Sequence, residues 1–139
     1  MRKGQRLKHR KPEAIKPLGH APRAAEDDPL GHNRLLRYME DHFEWMLIVG
    51  YSRDTVRARR NAIRRFIGWC DERGLDDPRE ITRPMLERYQ KYLFYYRKPE
   101  GKDSGAPLSI GMQVQYLAPL KTWFKWLARQ HHIDRKSVV

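Results

Sequence analysis

Apolar residues recur every three or four positions in four stretches of the chain, and this spacing places them on one face of a helix. The stretches run from about 30 to 49, from about 53 to 73, from 82 to about 96 and from 109 to about 131. No stretch alternates between apolar and polar residues for long enough to predict a strand. The pattern therefore predicts an all-α fold, a four-helix bundle of two helical hairpins packed on each other.

Residues with known preferences for helix ends stand at the boundaries of these stretches. Ser52, Thr82 and Ser109 are predicted N-caps, because a short hydroxyl side chain can accept a hydrogen bond from the first turn of a helix. A glycine follows the first and the second stretch and is predicted to end each helix. Pro119 lies inside the fourth stretch, so we expect either a kink or a later start of that helix. The Gly-, Pro- and charge-rich segment 98–107 predicts a flexible connection.

The first 29 residues lack the apolar pattern. They contain eight Lys or Arg residues and four prolines, so we expect a basic, disordered tail over 1–29. Such a tail could add non-specific affinity for phosphates, act as a targeting signal or only increase solubility. The folded domain is predicted over 30–133, and a short C-terminal tail over 134–139.

Composition limits the class of protein. The 139 residues include 29 Lys and Arg against 17 Asp and Glu, which gives a formal net charge of +12. Cys70 is the only cysteine and lies on the apolar side of the second helix, which excludes a disulfide scaffold and predicts a core thiol. No apolar run approaches the roughly 18 residues of a membrane helix. We therefore expect a cytoplasmic protein that binds a polyanion, nucleic acid first and an anionic membrane surface second.

Patterns typical of catalysis or of cofactor binding are missing from the sequence. It contains no glycine-rich phosphate loop, no Cys/His ligand spacing and no convincing Ser–His–Asp arrangement. His131 and His132 are adjacent, so on a helix they would point about 100° apart and make a poor metal pair. We predict no catalytic residue, no metal site, no cofactor and no small-molecule ligand.

The second helix carries a stripe of arginines. Arg53, Arg57, Arg60 and Arg64 fall within roughly 60° of one another on a helical wheel, opposite the apolar face. Solvated helix faces usually mix charges of both signs, whereas this stripe contains no acidic residue and its like charges repel. We interpret the stripe as a phosphate-binding surface, because a polyanion would offset that repulsion. Arg59 falls among the apolar residues, and the pattern does not explain it.

The fourth helix offers a second basic surface. Lys121, Lys125 and Arg129 share its exposed side with Gln115 and Thr122. The cations suit phosphates, whereas the amide and hydroxyl groups suit base edges in a major groove. Taken alone, an ordinary solvated face would be the better interpretation. Two such surfaces in one bundle favour binding to double-stranded DNA.

Three segments also carry a resemblance to a known family. They read YSRDTVRARRNAIRRFIGWCDERG, ITRPMLERYQKYL and LSIGMQVQYLAPLKTWFKWLARQHHI, and the first holds Ser52, Thr55, Phe66 and Trp69 at matching positions. Over about 30–133 the chain resembles the N-terminal core-binding, SAM-like domain of tyrosine recombinases, the phage integrases and Xer-type enzymes. The resemblance implies that the second and fourth helices lie on the DNA, and we include Thr55 among the predicted DNA-binding residues.

The resemblance further implies that strand cleavage belongs to a separate catalytic domain, so none of the seven tyrosines here is expected to be the nucleophile. The predicted function is that of a non-enzymatic DNA-binding module, which clamps duplex DNA in integration and recombination. One alternative is a protein-interaction module: Tyr38, Trp45 and Val49 form an apolar strip beside Arg34 that could join protomers in a homo-oligomer, or could belong to a wider core. Another is a fragment that occupies recombination sites without cutting them.

Overall fold

The computed structural model describes residues 28–99, 101–102 and 104–130. Within these ranges the regular structure consists of four α-helices and one 3₁₀ turn: α1 (Arg34–Ile48), α2 (Arg53–Asp71), the turn Pro78–Glu80, α3 (Arg83–Tyr95) and α4 (Ile110–Arg129). The described ranges contain no β-strand, and their one β-type pairing is an isolated bridge between Arg97 and Pro107. The predicted all-α class is confirmed.

The predicted tails lie almost entirely outside the described residues, so their boundaries stay predictions. Of the predicted N-terminal tail only Asp28 and Pro29 are described. Asp28 begins a turn, because its carboxylate accepts a hydrogen bond from the N–H of Leu30 at 2.9 Å and its carbonyl accepts one from the N–H of Gly31 at 2.8 Å. The described chain therefore forms a turn at residues 28–31, ahead of α1.

Two of the three predicted N-caps form the expected hydrogen bond. The hydroxyl oxygen of Ser52 accepts from the N–H of Thr55, and that of Ser109 accepts from the N–H of Met112, each at 3.1 Å. Thr82 occupies the N-cap position of α3, but its side chain makes no capping hydrogen bond. The predicted N-cap position is therefore confirmed for all three residues, and the capping hydrogen bond for the two serines only.

Glycine ends α1 and α2 as predicted. Gly50 has φ of +109° and Gly74 has φ of +75°, a region that side chains with a Cβ rarely occupy. After Gly50 the chain folds back, and the N–H of Tyr51 donates to the carbonyl of Met46 at 2.9 Å. The same arrangement after Gly74 satisfies a carbonyl at the end of α2.

The core forms where α2 packs against both α1 and α4, and α3 packs against α4. Phe66 of α2 is fully buried and meets Tyr89 of α3 and Phe124 of α4 edge to face, with ring centroids 4.9 and 5.7 Å apart. Cys70 is also fully buried, and burial raises the pKa of its thiol to about 12, which confirms a core thiol. Aromatic rings from α2, α3 and α4 therefore meet within the core.

The helix α4 begins at Ile110 and continues through Pro119 to Arg129. Of the two alternatives, a kink at Pro119 or a later start of the helix, the later start is therefore wrong. None of the helices in the described part of the chain is both long enough and apolar enough to span a bilayer.

Candidate nucleic-acid interface

The first two arginines of the stripe on α2 are exposed, whereas the last two are half-buried. Arg53 is exposed, and the side chain of Arg57 keeps 73% of its surface exposed. The side chains of Arg60 and Arg64, one and two turns further on, are only 37% and 32% exposed. The four residues therefore do not present equal charges to solvent.

Arg60 is held by α1. Its Nη1 and Nη2 donate to the two carboxylate oxygens of Glu40, at 2.5 and 3.0 Å. The guanidinium also lies over the ring of Phe43, with its central carbon 5.1 Å from the ring centroid. A two-point ion pair and a cation–π contact together fix this side chain against α1.

Arg64 is held by the turn before α1. Its Nη2 donates to the carboxylate of Asp28 at 3.0 Å, and its Nη1 makes a second, shorter contact with the other oxygen. The side chain of Asp28 is only 18% exposed, and the hydrogen bond from Arg64 holds its pKa below the usual value. Asp28 is therefore a charged, well-enclosed partner.

These two pairs correct the premise on which the stripe was interpreted. The charges of Arg60 and Arg64 are offset within the protein, by Glu40 of α1 and by Asp28, and these two arginines need no external polyanion to offset their repulsion. Helical spacing in α2 could not show this, because the two carboxylates lie 20 and 36 residues away in the chain.

The first turns of α2 remain accessible. Arg57 makes an exposed ion pair with Asp54 at 3.1 Å, and no carboxylate of the described chain lies within 4 Å of Arg53. Thr55 is half-buried, and its hydroxyl oxygen accepts a hydrogen bond from the hydroxyl of Ser52 at 2.9 Å. The Thr55 hydroxyl is thus part of the cap of α2.

The basic surface of α4 is open. Lys121, Lys125 and Arg129 are all exposed, and in the described ranges no Asp or Glu oxygen comes within 4 Å of their side-chain nitrogens. Gln115 is exposed as well, whereas Thr122 is half-buried, with its hydroxyl 3.5 Å from the carbonyl of Ala118. The predicted cations of α4 are therefore free to meet an external anion.

Arg59, which the pattern did not explain, is half-buried beside an aromatic ring. Its guanidinium lies over Tyr51, 5.3 Å from the ring centroid. One of its nitrogens, Nη1, is buried and has no hydrogen-bond partner among the described residues. The cation–π contact gives this arginine a packing role against Tyr51, which lies just before α2.

His42 is a buried residue that the sequence pattern did not single out, although it lies on the apolar stripe of α1 next to Phe43. It is fully buried between Trp45 and Trp126, with ring centroids 5.8 and 5.1 Å away. Neither of its ring nitrogens has a hydrogen-bond partner in the described part of the chain. Burial, together with the charges of Arg59 and Arg129, lowers the pKa of His42 from its usual 6.5 to about 4. His42 is therefore neutral at physiological pH.

The apolar strip proposed as an interaction surface is mostly core. Tyr38 and Trp45 are half-buried and pack against the buried cluster, and Trp45 contacts Trp126 with ring centroids 6.4 Å apart. Only Val49 is exposed, at 52%. The structure thus supports the wider core for two of the three residues. Nowhere in the described residues do three or more His, Cys, Asp or Glu side chains lie close enough together to hold a metal ion.

Comparison with known proteins agrees with the resemblance. The family model of the phage integrase N-terminal SAM-like domain matches residues 38–134. A protein described as tyrosine recombinase XerC 2 from Ralstonia nicotianae (strain ATCC BAA-1114 / GMI1000) is 62% identical over 119 residues, which cover 86% of this chain and 33% of that protein. The chain therefore spans about a third of the length of this relative. No solved structure matches the chain.

Proposed function

Because this chain belongs to the phage integrase family through its N-terminal SAM-like domain, we propose that it binds double-stranded DNA as the DNA-binding module of a site-specific tyrosine recombinase. The observation that carries the proposal is the open surface of α4, where Lys121, Lys125 and Arg129 are exposed without a carboxylate partner in the described ranges. These cations recur every four residues, about 6 Å apart along the helix. A polyanion offsets their mutual repulsion.

The proposed contacts divide by type. Cations neutralise phosphates, and polar groups that reach the groove contact base edges. In this proposal the phosphate-binding residues are Arg53, Arg57, Arg60, Arg64, Lys121, Lys125 and Arg129. Those near base edges are Thr55, Gln115 and Thr122. Of the latter three, Gln115 has the most accessible polar group, because the hydroxyl of Thr55 bonds to Ser52, the N-cap of α2, and that of Thr122 lies 3.5 Å from the carbonyl of Ala118.

The proposal concerns binding alone. We assign strand cleavage to no residue of this chain. In the described ranges Tyr89 is fully buried in the core, and burial raises the pKa of its hydroxyl well above the usual value. A buried phenol of this kind packs against its neighbours and has no access to a phosphodiester.

A second candidate role is the assembly of protomers on DNA. It is favoured by the end of α1, where Ile48 is 71% and Val49 is 52% exposed. Sedimentation of the free protein, and then of the protein on a DNA with two sites, tests this role. A monomer in the first case and a single protomer per site without cooperativity in the second would contradict it.

Fluorescence anisotropy with a labelled duplex, over about 50 to 200 mM salt, tests DNA binding. We expect micromolar affinity near physiological salt, and each neutralised phosphate adds about −0.9 to the slope of log affinity against log salt. Replacing Lys121, Lys125 and Arg129 with Gln should make the slope shallower by about 2.7 and weaken binding about 500-fold at about 0.1 M salt.

A matched control removes the same charge elsewhere. Arg88, Lys91 and Lys102 are exposed on α3 and the following loop, and their replacement with Gln should change the slope far less. Salt-independent binding by the unmodified protein, or an equal loss in this control, would contradict the proposal.

A further inference from the structure

Two of the four arginines on the stripe of α2 are already engaged with carboxylates in the free protein. Arg60 donates from both terminal nitrogens to Glu40, at 2.5 and 3.0 Å, and Arg64 donates from both of its own to Asp28. Neither carboxylate belongs to α2. The two acids come from α1 and from the turn that precedes it.

A phosphate must compete with these carboxylates. Both anions bind the same two-nitrogen edge of a guanidinium in a two-point geometry. A phosphate that takes this edge has to displace the carboxylate, and one that approaches another edge meets the negative charge that stays in place. Either way the gain from contacting Arg60 or Arg64 is smaller than from an arginine without a partner.

The enclosure of the two pairs separates them from the exposed ion pair on the same helix. Arg57 and Asp54 are 73% and 90% exposed, so solvent and salt screen their attraction strongly. By contrast, Arg60 is also stacked on Phe43, and Asp28 is fixed by its hydrogen bond from the N–H of Leu30. Because of these additional contacts, the Glu40 and Asp28 pairs are more persistent than the exposed pair of Arg57 with Asp54.

We infer that Glu40 and Asp28 limit the DNA affinity of this domain, by holding Arg60 and Arg64 away from phosphates until the DNA backbone displaces them. The inference rests on the proposed function. It divides the stripe into Arg53 and Arg57, which meet phosphates directly, and an inner pair that contributes only at the expense of a carboxylate. Binding to arbitrary DNA then depends mainly on α4 and on the first turns of α2.

The isosteric variants Glu40→Gln and Asp28→Asn test the inference, by anisotropy on the same duplex across salt. Each variant removes the competing charge but keeps the shape of the side chain. Each should make the salt slope steeper by about 0.9 and tighten binding up to about eightfold at about 0.1 M salt. The control is Glu87→Gln, which changes the net charge equally but acts on α3, where the nearest oxygen of Glu87 lies 3.7 Å from the Nε of Arg83.

The control should tighten binding by less than about twofold, because an exposed pair of this kind couples weakly. Unchanged or weaker binding in Glu40→Gln and Asp28→Asn relative to Glu87→Gln would overturn the inference and would indicate that the carboxylates orient the arginines for DNA. Failure of the unmodified protein to bind DNA would instead contradict the proposed function.

A second set of variants keeps the test decisive if removing an acid unfolds the domain. Arg57→Gln should weaken binding about eightfold at about 0.1 M salt, whereas Arg60→Gln or Arg64→Gln should weaken it much less. Circular dichroism confirms that each variant is folded. Equal losses of affinity from all three replacements would overturn the inference as well.

Discussion

The helices α2 and α4 both carry rows of cations and pack directly against each other. The helix α1, however, contacts the two of them through different kinds of side chain. Toward α2, α1 presents the carboxylate of Glu40, which pairs with Arg60. Toward α4, it presents the neutral ring of His42, which packs against Trp126. Like charges along one helix therefore do not show whether those charges are free, since the answer depends on what the neighbouring helix places beside them.

The two contacts of α1 should also respond to different conditions. Ion pairs at the half-buried edge of α2 weaken with salt and with protonation of their carboxylates. The aromatic contact with α4 depends on burial and on His42 staying neutral. Changes in pH can therefore distinguish the contribution of the α1–α2 contact to stability from that of the α1–α4 contact.

The largest expected effect is a decrease in the free energy of unfolding as the pH falls, caused by His42 at the contact between α1 and α4. His42 has a pKa of about 4 in the folded protein and 6.5 ordinarily, so the unfolded chain takes up the proton first. Its contribution to stability is therefore complete above about pH 6.5 and is lost progressively down to about pH 4. Each pH unit in this window costs about 1.4 kcal/mol, and the total approaches about 3 kcal/mol.

Urea unfolding at several pH values measures this effect. In His42→Phe the decline between about pH 6.5 and pH 4 should be much smaller, because no proton is taken up at this position. His32→Gln is a matched control, since His32 is exposed and bonded to Asp71 at 2.8 Å. If His42→Phe loses stability with falling pH as steeply as the unmodified protein, the buried ring is not the cause.

The ion pair of Asp28 with Arg64 should weaken at lower pH than the His42 contact does. The pKa of Asp28 in the folded protein is below its usual value, so the stability from its pair is present above the ordinary value and lost as the pH falls through the lowered one. This part of the acid transition should remain in His42→Phe and disappear in Asp28→Asn.

The fold could be predicted from the sequence because its determinants are local. The stripe of α1 that includes Leu35, Met39 and Met46 is buried as its spacing predicts, and glycine ends α1 and α2. Thr82 is the exception. It stands at the N-cap position, but a capping bond also needs a suitable rotamer of the hydroxyl side chain, which spacing does not specify.

The state of the cations on the candidate interface could not be predicted in the same way. Glu40 reaches Arg60 from the neighbouring helix α1, and Asp28 reaches Arg64 from the turn before α1. A helical wheel of α2 therefore cannot include these two acids. Arg59 meets Tyr51, which precedes the helix. The burial of His42, by contrast, could have been predicted, because the helical spacing of α1 places it beside Phe43 on the apolar face.

A smaller effect separates the inner and outer arginines of α2 by stability. Arg64→Gln leaves the enclosed carboxylate of Asp28 without its cation, and we expect the free energy of unfolding to fall by about 1 kcal/mol. Arg57→Gln breaks only an exposed pair and should leave stability almost unchanged. Urea unfolding of both variants at neutral pH measures the difference. Equal stability of the two variants would contradict the division of the stripe.

The smallest expected effect concerns Asp54, the exposed carboxylate next to Arg57. Its pair has an N–O distance of 3.1 Å, close to the longer of the two contacts that Arg60 and Arg64 each make, at 3.0 Å, but both side chains of the Asp54 pair are largely solvated. If enclosure determines how strongly a carboxylate competes with phosphate, Asp54→Asn should tighten DNA binding by only about twofold. The same variant removes an acidic residue from the first turn of α2, which should lower stability slightly, since a negative charge there interacts favourably with the helix dipole.

Anisotropy and urea unfolding of Asp54→Asn, measured beside Glu40→Gln, decide between enclosure and distance. Enclosure predicts a clearly larger gain in affinity for Glu40→Gln than for Asp54→Asn. Equal gains would mean that closeness of a carboxylate is sufficient, and the contrast between the two halves of α2 would then reduce to the number of acids near each arginine. In that case α4 would differ from α2 only because, in the described part of the chain, no acid lies within 4 Å of its cations.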